Sequence, residues 1–187
     1  TATRMVWDMM SRGNSVLLDE GTALVQAPAE RGATEGNWGW GAVAFDYDHD
    51  GDLDIAHVNG YVSSGIDDGR DQDSIWWRYG VSEYGRAGGR SPGYRIGIQR
   101  NMTKGWSLSG FERNRFFVND GKGSFDAVAE VVGADQVGDA RALVSADLDM
   151  DGDLDLVGTN RNTPEVFVLR NDFPGAGRFL MVDLKPE

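Results

Sequence analysis

The sequence predicts an all-β protein made of β-propeller blades, each a four-stranded antiparallel sheet, with one long insertion. Three observations carry that prediction. The segment Phe45-Asp46-Tyr47-Asp48-His49-Asp50-Gly51-Asp52-Leu53-Asp54-Ile55 recurs 101 residues later as Ala146-Asp147-Leu148-Asp149-Met150-Asp151-Gly152-Asp153-Leu154-Asp155-Leu156. Short apolar or alternating runs flank both copies, at the length of strands and not of helices. Gly occurs 26 times among 187 residues and Pro only 5 times; that is about twice the usual glycine share, as many tight turns between short strands require.

The spacing of the repeats sets the unit. Phe117-Val118-Asn119-Asp120 matches Leu169-Arg170-Asn171-Asp172, 52 residues on. Leu17-Leu18-Asp19-Glu20-Gly21 matches Phe117-Val118-Asn119-Asp120-Gly121 more weakly, 100 residues on. From Asp155 to Asn171 is 16 residues, but from Asp54 to Asn119 is 65, so the first unit carries about 49 extra residues, placed within 61–112. Without them the chain holds about 2.7 units. A strand-built unit of about 50 residues is the period of a propeller blade.

Four strands can be read in each unit. Residues 41–45 and 142–146 are apolar runs that enter the acidic segment. Residues 53–58 and 154–157 leave it, alternating at first between Asp and apolar side chains. Residues 115–118 and 165–169 form the third strand. After a hairpin turn at Asn119-Asp120-Gly121-Lys122-Gly123, where glycine adopts positive φ without a Cβ penalty, residues 124–128 return as the fourth. Helical periodicity is weak, with one turn at most over 7–12. The chain therefore divides into the end of a preceding unit or linker (1–14), blade elements with the first acidic loop (15–60), the insertion (61–112), blade elements with the second loop (113–173), and the start of a further strand (174–187). A ring closes only with about four to eight blades. The chain is therefore expected to need more blades of a longer polypeptide, or another chain, over its open faces.

Composition narrows the function classes. Asp and Glu number 30 against 18 Lys and Arg, a net charge of −12, which argues against a nucleic-acid backbone or an anionic membrane as main partner. With no Cys and 2 His, disulfides, thiolate chemistry and multi-histidine metal sites are excluded. No apolar run reaches the ~18 residues of a membrane-spanning helix.

The two acidic loops read Asp-x-Asp-x-Asp-Gly-x-x-Asp. Carboxylates at positions 1, 3, 5 and 9 repel one another unless a cation lies among them, and hard oxygen donors at alternate positions suit Ca²⁺. The candidate ligands are Asp46, Asp48, Asp50 and Asp54 in one loop, and Asp147, Asp149, Asp151 and Asp155 in the other. Asp52 and Asp153, at position 7, are expected to contribute main chain. Two Ca²⁺ ions are expected. An EF-hand is excluded, since position 12 is His57 or Gly158 in place of a bidentate Glu, and the flanks read as strands. A metal-free acidic turn is the alternative reading. His49 falls between the alternating ligands and is expected to point away from them.

These loops, the turn Asn119-Asp120-Gly121-Lys122-Gly123-Ser124-Phe125 and the 52-residue unit resemble the FG-GAP/VCBS repeat family. Trp38-Gly39-Trp40-Gly41, Glu112-Arg113-Asn114-Arg115-Phe116-Phe117 and the tail Arg178-Phe179-Leu180-Met181-Val182-Asp183-Leu184 are similar to the ASPIC/UnbV group, related to cartilage acidic protein. The resemblance implies calcium-bearing, integrin-α-like propeller blades in an exported protein, extracellular or periplasmic. It implies scaffolding or adhesion through protein partners or as a subunit of an assembly, and no enzyme activity.

The insertion is rich in aromatic residues and Arg, including Trp76, Trp77, Arg78, Tyr79, Tyr84 and Trp106. That composition fits a protein-binding surface, a glycan-stacking surface, or simply the small core that such an excursion needs; the three stay open. A carbohydrate-binding or lyase-like propeller is thus the alternative function. Trp38 and Trp40, at strand spacing, are expected to share one side and pack between blades. His57 is expected to be structural. Asn101-Met102-Thr103 is a glycosylation sequon only if the protein passes through a eukaryotic secretory pathway.

Overall fold

The computed structural model describes residues 14–19, 21–63, 109–162 and 164–174. The expected turn at 7–12, Trp76, Trp77, Arg78, Tyr79, Tyr84, Trp106 and the tail from 175 onward lie outside these. Among the described residues the chain is all-β, in three antiparallel sheets.

The first sheet is a hairpin of β1 (Leu17–Asp19) and β2 (Leu24–Gln26). The second has four strands in sequence order: β3 (Gly39–Phe45), β4 (Asp54–Asn59), β5 (Arg115–Asn119) and β6 (Phe125–Ala127). The third has three: β7 (Ala140–Ala146), β8 (Asp155–Asn160) and β9 (Val166–Leu169). The order of the second sheet is the four-strand unit that the sequence predicts, with strand ends moved by at most two residues. The insertion lies between neighbouring strands β4 and β5, so a long excursion leaves the local antiparallel pairing intact.

The repeat is visible in the register. Phe45 pairs with Asp54 and Ala146 with Asp155, and both ladders shift at the same point, between Gly39 and Gly41 and between Ala140 and Ala142. Ile55 pairs with Phe117, as Leu156 pairs with Leu169. Two short helical turns were not foreseen, a 3-10 turn at Ala29–Arg31 and α1 (Ala129–Val132). They occupy equivalent points of successive units, 100 residues apart, and a single turn is too short for helical periodicity to register in sequence.

β3 and β7 run side by side; a Cβ on Gly41 would lie 3.4 Å from Ala142 Cα. The core lies between the second and third sheets. Phe45, Ala56 and Phe116 face Leu156, Ala129 and Ala134, with Tyr47, Leu143, Leu154 and Leu169 packed around them. Phe45 and Phe116 stack at 5.7 Å, and Tyr47 meets Phe116 edge-on at 5.0 Å.

The far face of the third sheet has no such cover among the described residues. Its Val144 and Val168 hold the repeat positions of Val43 and Phe116. Val168 is 54% exposed where Phe116 is 2% exposed. Val144 and Val166 are likewise exposed, and so is Leu148, which holds the position of Tyr47.

The base of the excursion is built into the fold. Tyr61 N–H donates to Ser109 O at 2.5 Å. The buried Asp139 carboxylate accepts from Ser63 N–H (2.5 Å), Ser63 Oγ (2.8 Å), Phe111 N–H (3.1 Å) and Asn162 Nδ2 (3.0 Å). Glu112 is fully buried and accepts from Trp38 N–H at 2.6 Å. Tyr61 stacks on both Trp38 (4.5 Å) and Trp40 (5.7 Å). The two tryptophans therefore do share a side, but they meet the base of the excursion and the Arg141 guanidinium, 4.6 Å from the Trp40 ring centre, and Trp40 stays partly exposed.

Candidate metal centres

Each acidic loop joins the first two strands of its sheet, β3 to β4 and β7 to β8. The antiparallel pairs Phe45–Asp54 and Ala146–Asp155 close each loop at its neck. Within it the chain reverses twice. Gly51 and Gly152 lie at φ 94° and 99°, a region costly for any residue with a Cβ. His49 and Met150, one position before the third aspartate, also have positive φ, at 60° and 62°. The matching torsions show that the two loops share one conformation.

That conformation turns three carboxylates inward. Ligand oxygens of Asp46, Asp48 and Asp50 lie within 4.8 Å of one another, and those of Asp147, Asp149 and Asp151 do the same. The loops hold these side chains with their own amides. Asp46 accepts from Asp50 N–H and Gly51 N–H, each at 3.1 Å, and Asp147 from Gly152 N–H at 3.1 Å. Asp50 accepts from Asp52 N–H (2.9 Å) and Asp151 from Asp153 N–H (3.0 Å). Asp48 Oδ1 and Asp147 Oδ1 are shielded from solvent and accept no hydrogen bond. A shielded carboxylate oxygen without a donor is costly, and a hard cation would supply what it lacks. The donor set fits Ca²⁺: all oxygen, several carboxylates, in a loop that can adapt its geometry.

The electrostatics agree. Desolvation, then Asp50, raises the Asp48 carboxyl above the ordinary carboxylate value. Asp149 is raised by desolvation and then by Asp151. Both shifts mark loops where desolvation and crowded negative charge outweigh the backbone N–H groups that favour the ionised form.

Asp54 and Asp155 also tie their loops to the sheets. Asp54 is buried; its Oδ2 accepts from Tyr47 N–H and its Oδ1 from Asn119 N–H, each at 2.8 Å. Asp155 repeats this with Leu148 N–H at 2.9 Å and Asn171 N–H at 2.8 Å. Position 9 thus ties the start of its loop to the end of the third strand of its sheet. Burial raises the Asp54 carboxyl, against the pull of these two N–H groups. The sequence pattern reads position 9 as a ligand; the hydrogen bonds add a loop-closing role that spacing within the loop could not reveal. The sequence reads Asn119 as a turn residue and Asn171 as its repeat match. Their recurrence in phase with the aspartates was the available signal for this bond.

Asp54→Ala and Asp155→Ala each leave two N–H groups, buried or partly buried, without acceptors. At ~1–3 kcal/mol for each such group, each substitution is expected to cost roughly 3 kcal/mol in chelator, where no ion contributes. Asp50→Ala and Asp151→Ala, at exposed positions, are expected to cost within about 0.5 kcal/mol there and to act only on metal affinity. Urea denaturation of the four variants in EGTA measures the contrast; equal losses would remove the distinction between position 5 and position 9.

The two loops are neighbours. His49 Nε2 lies 3.6 Å from Asp153 Oδ1, so His49 does point out of its own loop, toward the other one. Asn171 Nδ2 donates to Tyr47 O at 2.8 Å. At the rim of the second loop the Arg170 guanidinium binds Asp172 (2.9 and 2.7 Å) and lies 3.7 Å from Asp149. His57 is buried on β4, with Nε2 3.1 Å from Asn14 Nδ2 and 3.3 Å from Glu35 O, and its ring stacks on Phe117. Burial lowers its pKa, so it stays neutral at pH 7.

Residues 106–158 match the family model of the FG-GAP-like repeat. The matched stretch runs from just before β5 through the hairpin, α1, β7 and the second acidic loop into β8, one unit of the internal repeat. No curated protein matches the chain. Among the described residues no helix is long and apolar enough to cross a membrane.

Proposed function

We propose that the chain is part of a calcium-stabilised β-propeller scaffold that acts outside the cytoplasm through protein–protein contact or adhesion, within a larger protein or assembly. The observation that carries the reading is the repeated loop geometry, in which each copy gathers three carboxylates within 4.8 Å and leaves a shielded oxygen without a donor. The FG-GAP-like match over 106–158 supports it, since such repeats are integrin-like interaction modules. One Ca²⁺ sits in each loop, held by Asp46, Asp48 and Asp50 and by Asp147, Asp149 and Asp151. The loops serve structure and not catalysis: they fasten strand connections at one end of the sheets.

The uncovered face of the third sheet fits a propeller. The second sheet shows what covers such a face, because Val43, Tyr47 and Phe116 pack under the third sheet. Val144, Leu148 and Val168 are the same positions one unit later, and a further sheet of this kind covers them. The excursion is the element that differs between units, so it carries the specific contact, with Trp76, Trp77, Arg78, Tyr79, Tyr84 and Trp106 as its anchors. The ASPIC/UnbV resemblance belongs to the same proposal.

Elemental analysis after dialysis against calcium buffer, paired with calorimetric titration of the stripped protein, tests the metal reading. Two ions per chain are expected, lost at acid pH as the carboxylates protonate. A calcium content of zero would refute it.

A further inference from the structure

We propose that Asn171 couples the two acidic loops, so that Ca²⁺ bound at either loop raises the affinity of the other. The proposal rests on the calcium reading above and concerns how the two sites communicate.

The geometry is a continuous hydrogen-bonded path between the loops. Leu148 N–H, in the second loop, donates to Asp155 Oδ2, and Asp155 Oδ1 accepts from Asn171 N–H. The Asn171 side chain then crosses to the neighbouring sheet, where Nδ2 donates to Tyr47 O in the first loop. Tyr47 N–H donates to Asp54 Oδ2, and Asp54 Oδ1 accepts from Asn119 N–H. Asn171 is buried, and its Oδ1 accepts from Phe173 N–H at 3.1 Å, which fixes the amide so that Nδ2 is the donor toward Tyr47. The Tyr47 ring packs on Phe173 at 5.2 Å, a second tie along the same route.

The repeat supplies an internal comparison. Asn119 holds the same repeat position and makes the same N–H bond, to Asp54. Its Nδ2 donates to Leu53 O, within its own sheet, at 3.2 Å. Turn chemistry therefore does not require the cross-sheet bond; it arises where one sheet packs against the acidic loop of another.

The physical consequence is shared ordering. Filling a loop fixes its backbone, and a second ligand that meets an already ordered neighbour meets a smaller entropy cost. Electrostatics acts the other way, because the first ion removes negative charge that attracts the second. That opposing effect is screened by salt, whereas ordering carried through a partly buried hydrogen-bonded route is not. The coupling is reciprocal, by the same factor in each direction.

Two experiments test it on the full chain. Calcium titrations at ~0.5 M salt should show the second ion binding about fivefold more tightly than an independent site. Asn171→Ala should abolish that factor, and Asn119→Ala should retain it. Equal coupling in the wild type and the Asn171→Ala variant would overturn the proposal. The second experiment needs no Asn171 variant. With the first loop disabled by Asp46→Asn and Asp50→Asn, calcium can fill only the second. Amide exchange at 47–52 should then slow by several-fold on adding calcium. Unchanged exchange there, with calcium shown bound at the second loop, overturns the coupling and leaves the calcium reading standing. Failure of the wild type to bind calcium at all refutes both.

Discussion

In excess EGTA the melting temperature is expected to fall by roughly 10–20 °C relative to calcium-saturated protein. A ligand that binds only the folded state stabilises it by about 2.7 kcal/mol at a hundredfold excess over Kd. Two loops bring roughly 5 kcal/mol, and for a chain of this size each kcal/mol moves the midpoint by roughly 2–4 °C. Acidification should reverse sign between the two states. In the stripped protein Asp48, Asp54 and Asp149 have folded pKa values above their ordinary 3.8. A carboxyl raised in the folded state takes up its proton before the unfolded chain does. These three groups therefore add stability as pH falls from 7 toward that value. In the calcium-saturated protein the same protons displace the ion, and stability falls. The difference between calcium-saturated and calcium-stripped protein should thus shrink on acidification. Scanning calorimetry at pH 7 and pH 5, of calcium-stripped protein in metal-free buffer and of calcium-saturated protein, measures it; superimposable curves at pH 7 would contradict the calcium reading.

Removing residues 64–108 and joining Ser63 to Ser109 through a short glycine linker should leave the sheets folded and both loops intact. Removing 61–112 and fusing Gly60 to Arg113 should unfold the protein. The repeat arithmetic makes the two deletions look nearly equivalent. The structure separates them, because the excursion closes at its base. A Cβ on Gly110 would lie 2.6 Å from Ser63 Cα, and Asp139 grips Ser63 and Phe111 together. The wider deletion removes Glu112 from Trp38 N–H and Tyr61 from between the tryptophans. It also strips Asp139 of three of its four donors, leaving a buried carboxylate under-satisfied. Circular dichroism melts of both variants decide this. If the narrower deletion also unfolds, residues 64–108 are part of the core, and the interface role proposed for them fails. If it folds and keeps its calcium but loses a partner that the full chain binds, the excursion is the contact.

The sequence by itself determined the all-β class, the four-strand unit of the second sheet, the place of the insertion between the second and third strands, and the two acidic loops. Each is a local or periodic property. Alternation within a strand, glycine where φ must be positive, and carboxylates two residues apart all act over a few residues, and a repeat shows them twice. The single helical turns at 29–31 and 129–132 fell below that signal, since one turn has no period to detect. Tertiary structure alone decided what joins residues far apart in the chain. Asp54 and Asp155 find their second donors 65 and 16 residues away, on Asn119 and Asn171. Asn171 and Asn119 are the same residue at the same repeat position, yet Asn119 keeps its amide on the loop of its own sheet, while Asn171 sends its amide into the loop of the neighbouring sheet, 124 residues back. Asp139, a lone aspartate before a strand, becomes the buried clamp of the excursion because Ser63, Phe111 and Asn162 converge on it. A buried carboxylate must collect donors from whichever segments packing brings past it, and that is a property of the assembled sheets which spacing along the chain does not encode.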